Sequence, residues 1–237
     1  MVHLAGENIA GRWTLSKKQR IRDSRVASTA LLAEVLAGLQ RPPTVFACAS
    51  AIGYYGNRGD EILTEASTAG SGFMAEVCRE WEAATVPATA AGIRTLNLRF
   101  GVVLDVNAGA LKKMLPAFRL GLGGPMGNGR QFWSWICLSD AIGAILHALE
   151  HPELHGPINI VAPHPVRNRE FAVALGAALH RPAVLPTPAF ALRLLLGEMA
   201  DEALLSSVRV EPSVLVGSGY RFRWLELGEG LVGVLAS

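Results

Sequence analysis

Cysteine is scarce in this chain. Cys48, Cys78 and Cys137 are scattered, odd in number and never in C-x-x-C spacing. That pattern argues against a disulfide framework and predicts reduced core thiols in a cytoplasmic protein. No uncharged apolar run approaches the roughly 18–20 residues that cross a bilayer. The opening MVHLAGEN has no basic segment followed by an apolar one, so no leader peptide is expected there. Charge is also sparse: 18% of residues are charged and the net charge is +2. That balance gives no reason to expect a nucleic-acid partner. The one basic run, KKQRIRDSR, reads as a solvated helix face. There is no P-loop, no H-E-x-x-H and no nucleophile elbow. His147, His151 and His155 stand four apart, but Pro152 interrupts the helix and no acidic or thiol partner completes a metal site.

What is present is a core-forming composition. Of 237 residues, 50% are hydrophobic, enough for one large domain or a domain with a smaller lobe. The stretch TVFACASAIGYYG, residues 44–56, organises the rest. Its apolar, β-branched start predicts a buried parallel strand over 44–49, delivering Ser50, Tyr54 and Tyr55 at its carboxyl end. Before it, residues 3–6 read as a strand end. Ser16 then reads as the cap of a helix over 17–40, stopped by Pro42 and Pro43. After it come a polar loop with Asp60, Glu61 and Glu65 as solvated carboxylates, a helix over 73–84, and a buried strand running from 93 through 104. A short helix over 111–120 follows, then the glycine-rich GLGGPMGNG, a strand over 130–136, and a helix to 150 capped by Ser139 and Asp140. The spacing next predicts a strand over 157–161 and a helix over 169–180 capped by Asn168. The tail holds an apolar helix over 190–205, strands at 208–210 and 220–224, and a last helix. The alternation of strands and helices to about residue 160 predicts an α/β fold with a parallel sheet.

In open α/β sheets, ligands sit at the carboxyl ends of strands. Ser50 and Tyr54 therefore read either as a hydroxyl pair that polarises a carbonyl and carries a proton, or as strand-end packing with satisfied hydroxyls. The glycines at 121, 123, 124, 127 and 129 read either as a phosphate nest or as a mobile loop. They follow a helix, whereas the dinucleotide fingerprint opens one, and the loop reading is the simpler.

Several stretches together resemble one family. They are LAGENIAGRW, RIRDSRVAST, ASAIGYYGNRGDEILTE, FMAEVCREWEAA, LRFGVVLD, MLPAFRLGLGGPMGNGRQFWSWI and the tail from NIVAPHPVRNRE to GEMADEALL. They are similar to the epimerase-family branch of the extended short-chain dehydrogenase/reductases. The resemblance implies a Rossmann-type nucleotide-binding domain over 1–155 and a small C-terminal α+β substrate lobe over 156–237. It implies NADP, with NAD as the alternative, a small and nucleotide-linked substrate, no membrane or nucleic-acid partner, and room for an oligomer. Residue by residue, Leu4, Ala5 and Gly6 match a strand end that lines the cofactor. Ser50 matches the active-site Ser/Thr, and Tyr55-Gly56 the Tyr-Gly pair with one residue of register left open, so Tyr54 is the candidate proton donor. Ser50, Arg99, Gly101, Val102 and Val103 match the surroundings of the nicotinamide, and residues 131–136 the contacts of the substrate lobe.

Two departures go with the resemblance. The G-x-x-G-x-x-G turn that opens the family fold is absent, and Met1 falls at the fourth strand. The expected sheet therefore lacks its first strands and glycine-rich turn, and the chain is expected to be N-terminally shortened and to bind dinucleotide poorly. The Y-x-x-x-K pair is absent as well: its places fall near Phe73 or Met74 and Val77 or Cys78, and no lysine stands between Lys18 and Lys112. Three readings remain open: a redox or epimerase enzyme, a non-catalytic nucleotide-binding or sensing protein, and an inactive shortened form.

Overall fold

The computed structural model describes residues 1–236. Its centre is a four-stranded parallel sheet of β1 (Val2–His3), β2 (Val45–Ala51), β4 (Arg94–Phe100) and β8 (Gly156–Ile160), in that spatial order. Helices α1 (Leu15–Ala37), α2 (Phe73–Ala83) and α3 (Val86–Ala90) cover one face, and α5 (Leu138–Glu150) covers the other. β2 is buried on both faces, which is why it reads as an unbroken apolar run. Phe46 and Cys48 enter the cluster with Ala33, Leu36 and Trp81. Ala47 points the other way, to Ala141, Ala144 and Ala148. Those alanines, three and four apart, let α5 lie close on the sheet.

A second core joins β5 (Val102–Leu104), α4 (Gly109–Arg119), β6 (Phe132–Trp133), β7 (Trp135–Cys137), α6 (Asn168–Ala178) and α9 (Leu227–Leu235). β5 pairs with β7, and β6 pairs with β9 (Val166–Arg167). Near the sheet's carboxyl end, β3 (Ile62–Leu63) pairs with β10 (Arg209–Val210). The tail adds α7 (Ala189–Leu196), a π-helical turn Ala200–Leu204 and α8 (Ser213–Gly217). Among the described residues no helix is long and apolar enough to cross a membrane.

Several local expectations are corrected. α1 starts at Leu15 and ends at Ala37, and Thr14 caps it by accepting from Lys17 N at 3.2 Å; Ser16 lies inside the helix. The expected strand over 93–104 breaks at Gly101. A Cβ there would sit 2.5 Å from the Ser134 carbonyl, so the chain can swing out of the sheet to pair with β7 only because residue 101 has none. The expected strand over 130–136 is two short strands with different partners. β8 is the outer strand of the main sheet, so the division expected at residue 156 falls inside that sheet.

Asp140 does not cap α5. Its carboxylate accepts from Arg223 N at 2.9 Å and Trp224 N at 3.0 Å, which holds 220–224 as irregular chain rather than a strand. Asn168 opens α6 without capping it, because its Oδ1 accepts from Met126 N at 2.7 Å. The apolar helix over 190–205 stops at Gly197, whose φ of 61° is left-handed, before the π-helical turn. The glycine-rich loop is not free. Leu185 N donates to the Gly123 carbonyl at 3.2 Å, Thr187 N to the Pro125 carbonyl at 2.9 Å, and Gly127 N to the Thr187 carbonyl at 2.9 Å.

Candidate functional site

Side-chain alternation assembles the site. Along β2, Phe46, Cys48 and Ser50 share one face, toward α1–α3. Along β4, Leu96 and Leu98 face α5, which turns Arg99 to the α2 side; along β8, Ile158 and Ile160 do the same for Asn159. Register sets Ser50 beside Arg99 and Arg99 beside Asn159. Three polar residues thus reach the carboxyl ends of three adjacent strands at one level.

They form one continuous chain of hydrogen bonds. Arg99 grips Glu82 of α2 through Nε at 2.8 Å and Nη2 at 2.8 Å. Ser50 Oγ donates to the same carboxylate at 2.7 Å. Arg99 Nη1 donates to the Tyr55 hydroxyl at 2.9 Å, which donates to Asn159 Oδ1 at 2.7 Å, and Asn159 Nδ2 donates to the Glu211 carbonyl at 3.0 Å. Ser50, Tyr55, Arg99 and Asn159 are all buried. Burial pushes the Tyr55 phenol up to about 12, against the opposing pull of Arg99. Burial also works against the charge of Arg99, but its bonds to Glu82 more than offset this and hold the guanidinium above its ordinary range. Glu65, expected in solvent, belongs to this region. Its Oε1 accepts from Asn159 N at 3.1 Å and Val214 N at 3.2 Å, and its Oε2 is buried without a partner. Asp60 and Glu61 do stay at the surface, paired with Arg167 and Arg58.

Tyr54 differs from its neighbour. It is half-exposed, its ring centroid lies 3.5 Å from Arg99 Cζ, and its hydroxyl has no partner among the described residues. Leu4, Ala5 and Gly6 follow β1, whose pairing with Ala47 and Cys48 sets them alongside the carboxyl end of β2. Leu4 is 54% exposed. Gly101, Val102 and Val103 are tied into the fold: Gly101 N donates to the Ile160 carbonyl at 3.1 Å and Val102 N to the Ser134 carbonyl at 2.8 Å. Within 131–136, Gln131 and Ser134 bond the backbone of 204–210. None of the strand-end residues lines the open groove of 530 Å³ between α1 and α2, which is bordered by Lys18, Arg22, Phe73 and Glu76.

The structure thus gathers Ser50, Tyr54 and Arg99 at one place, with Leu4–Gly6 beside them and Gly101–Val103 beyond β4. Glu82, Asn159 and Glu65 escaped sequence reasoning. One signal was available for Glu82: it stands four residues after Cys78, a carboxylate inside the sheet-facing stripe of α2. The places of the absent Tyr-Lys pair fall near Phe73 or Met74 and Val77 or Cys78, of which Met74, Val77 and Cys78 are buried.

Comparison with known proteins decides the family. The chain is 45% identical over 232 residues to an epimerase family protein of Mycobacterium leprae, covering 98% of this chain and 75% of that one. The chain belongs to the epimerase family. It is also 37% identical to the human epimerase family protein SDR39U1, over 99% of this chain and 81% of that one. A family profile described as a domain of unknown function, DUF1731, matches residues 187–232. Among solved structures, the human SDR39U1 isoform 2, crystallised with NADPH, superposes with a TM-score of 0.95 at 36% identity, over 99% of this chain and 81% of that one. A nucleoside-diphosphate sugar epimerase from Corynebacterium glutamicum gives a TM-score of 0.79 at 38% identity, over 99% of this chain and 45% of that one. The α/β, Rossmann-type parallel architecture of this epimerase-family chain is therefore that of the extended short-chain dehydrogenase/reductases.

Proposed function

We propose that this epimerase-family protein binds a nicotinamide dinucleotide, NADP(H), at the carboxyl ends of β1, β2 and β4 and acts there on a small, nucleotide-linked substrate. The observation that supports this reading most is the whole-chain superposition on a relative crystallised with NADPH. The residues of this chain fit such a group. Beside the exposed Leu4, Gly6 carries no side chain, and the guanidinium next to it has a buried nitrogen with no acceptor. When bound, the dinucleotide supplies hydride exchange with a carbon of the substrate.

The protein's own part is positioning and proton handling. Leu4, Ala5 and Gly6 form one wall, and Gly101, Val102 and Val103 the other. Arg99 fixes Glu82 and Tyr55, and its guanidinium supports the ring of Tyr54 from below. The free Tyr54 hydroxyl is the candidate proton donor. Ser50 donates its hydroxyl hydrogen bond to Glu82, so its lone pairs remain to accept from a substrate hydroxyl. A second reading, a non-catalytic nucleotide-binding or sensing protein, draws support from the same geometry. The hydroxyls of Ser50 and Tyr55 both donate within the protein, and no lysine stands at the places of the missing acid–base pair, Phe73 or Met74 and Val77 or Cys78.

Fluorescence titration of NADPH and NADH into the full natural chain tests the cofactor, with saturable binding and preference for NADPH expected. No binding of either would overturn the reading. For the chemistry, Tyr54→Phe should abolish turnover of a nucleoside-diphosphate sugar while keeping NADPH binding. Binding without turnover in the parent protein would favour the sensing alternative.

A further inference from the structure

The tail crosses from the second core to the helices of the central sheet between residues 194 and 205, and its two ends are held differently. At one end the Leu204 carbonyl accepts from Gln131 Nε2 at 3.1 Å and from Trp133 Nε1 at 3.3 Å. At the other, Arg12 Nη1 donates to the Leu194 carbonyl at 3.0 Å. Lys18 of α1 reaches both oxygens of Glu198 at 2.9 Å and stands 4.4 Å from the centroid of the Phe73 ring. Glu202 makes the contact of most consequence. Its carboxylate accepts from Phe73 N at 3.2 Å and from Met74 N at 3.1 Å, two of the amides that a helix leaves free in its first turn. α2 has no side-chain cap of its own, because Gly72 stands at that position. The φ of Gly72 is 106°, and a Cβ there would collide with the Glu202 carboxylate, so glycine at 72 is what lets the tail reach the helix.

This end is built to be broken. No lysine or arginine pairs with Glu202 among the described residues, so two amides and the positive end of α2 hold its charge. The segment leaves α7 at Gly197, whose φ of 61° is left-handed, and continues as the π-helical turn Ala200–Leu204. Beneath it lies a small cluster in which Met199 meets Trp13, Ile21 and Met74. Segments with few apolar contacts and part-exposed hydrogen bonds open locally, at free energies well below that of global unfolding. What lies below α2's first turn gives the opening a consequence. A Cβ on Gly53 would sit 3.2 Å from Met74 Cβ, and Gly53 directly precedes Tyr54. The first turn of α2 therefore links Glu202 to the turn that presents the free Tyr54 hydroxyl.

We propose that residues 197–205 form a latch, closed by the Glu202 carboxylate on the amino end of α2, which opens together with the first turn of that helix and gates the strand ends beside Tyr54. The latch itself stands on the chain's own contacts; its gating of the site rests on the NADP(H) reading above. Closed, the carboxylate fixes the start of the helix that carries Glu82 to Ser50 and Arg99. Open, the latch frees the Phe73 and Met74 amides, and the helix start is held only by its own turns.

Native-state amide exchange on the full natural chain, read by NMR, tests the latch without any ligand. In the unmutated protein the amides of Ala200 and Leu205, bonded within the latch, and those of Phe73 and Met74 should share one opening equilibrium, and β4 should be protected far more strongly. Separate opening of the two segments overturns the proposal. Glu202→Ala should speed exchange of both segments together by about tenfold or more, as loss of bonds to a charged acceptor does, and leave β4 within about twofold of the parent. Phe73 and Met74 amides that stay within about twofold of the parent, or a rise shared by β4, would refute it. Glu198→Gln removes an exposed ion pair and should change exchange by no more than about fivefold. An effect as large as that of Glu202→Ala would take the closure away from Glu202. Stopped-flow NADPH binding tests the gating. In Glu202→Ala, association and release should both quicken by about the same factor. Unchanged rates, or a Kd that rises through release alone, overturn the gating. If the parent protein does not bind NADPH, the cofactor reading falls and the gating with it, whereas the exchange data still decide the latch.

Discussion

Arg99 and Arg25 reach the same end of one sheet and have opposite surroundings. Arg99 comes from a central strand, and every one of its nitrogens has a partner: Glu82 twice and the Tyr55 hydroxyl. Arg25 comes from a helix over the edge strand and keeps one buried nitrogen without any. Two of these nitrogens are fixed on Glu82 and one on the Tyr55 hydroxyl, so Arg99 acts as a brace for Ser50, Tyr54 and Tyr55. The pair contrasts a guanidinium that braces the strand ends with one that the fold leaves partly unpartnered.

The comparison can be broken most sharply at Arg99. Arg99→Met leaves the part-buried Glu82 carboxylate without its cation and with only the Ser50 hydroxyl as partner, and urea unfolding should show a loss of about 3–5 kcal/mol. A loss below about 1 kcal/mol would mean that the network is not a brace. Next comes Tyr55→Phe, which strips a partner from both Arg99 and Asn159, with about 1–3 kcal/mol expected by the same measurement.

Tyr55 also carries a pH signature. Its folded pKa, about 12, lies above the unfolded value of 10.0. The folded state therefore holds the phenol proton more tightly, and that stability is complete below pH 10 and drains away as pH rises through 12. Relative to Tyr55→Phe, the parent protein should lose roughly 2 kcal/mol between pH 9 and pH 12. A gap that does not change with pH would contradict a buried, neutral phenol. Ser50→Ala removes one of three bonds to Glu82, and thermal unfolding should register about 1 kcal/mol. The smallest effect belongs to Arg25. Arg25→Met should change stability by no more than about 0.5 kcal/mol in either direction, because an unpaired cation gives up little when replaced by an apolar chain of similar length. A loss comparable to that of Arg99→Met would erase the distinction between the two arginines.

Much of the scaffold was legible before any coordinates. The apolar run at 45–49, the alternation in 94–100 and the periodicity of 73–83 each identify their element, because burial on two faces or on one stripe leaves a direct imprint on residue order. Breaks were harder to read. The exit of the chain at Gly101, the stop at Gly197 and the irregular 220–224 depend on contacts with Ser134, on a left-handed backbone angle and on the Asp140 carboxylate. Each is a long-range or conformational cause with no local pattern. The glycine-rich segment misled for the same reason. Its composition reads as freedom, but residues 168 and 185–187 hold it in place.

Sequence by itself determined which residues face the core, that a hydroxyl cluster ends the second strand of the central sheet, and which family the chain resembles. These follow from local periodicity and from short ordered motifs. Only the tertiary structure decided what those hydroxyls do. It set Ser50 against Glu82 and Tyr55 against Arg99 and Asn159, and left the Tyr54 hydroxyl free. It also showed that, of three arginines near α2, Arg25 has no carboxylate partner. Partners 17 to 104 residues apart in the chain meet only when parallel strands align and a helix closes over them, and whether a polar group is satisfied depends on that meeting.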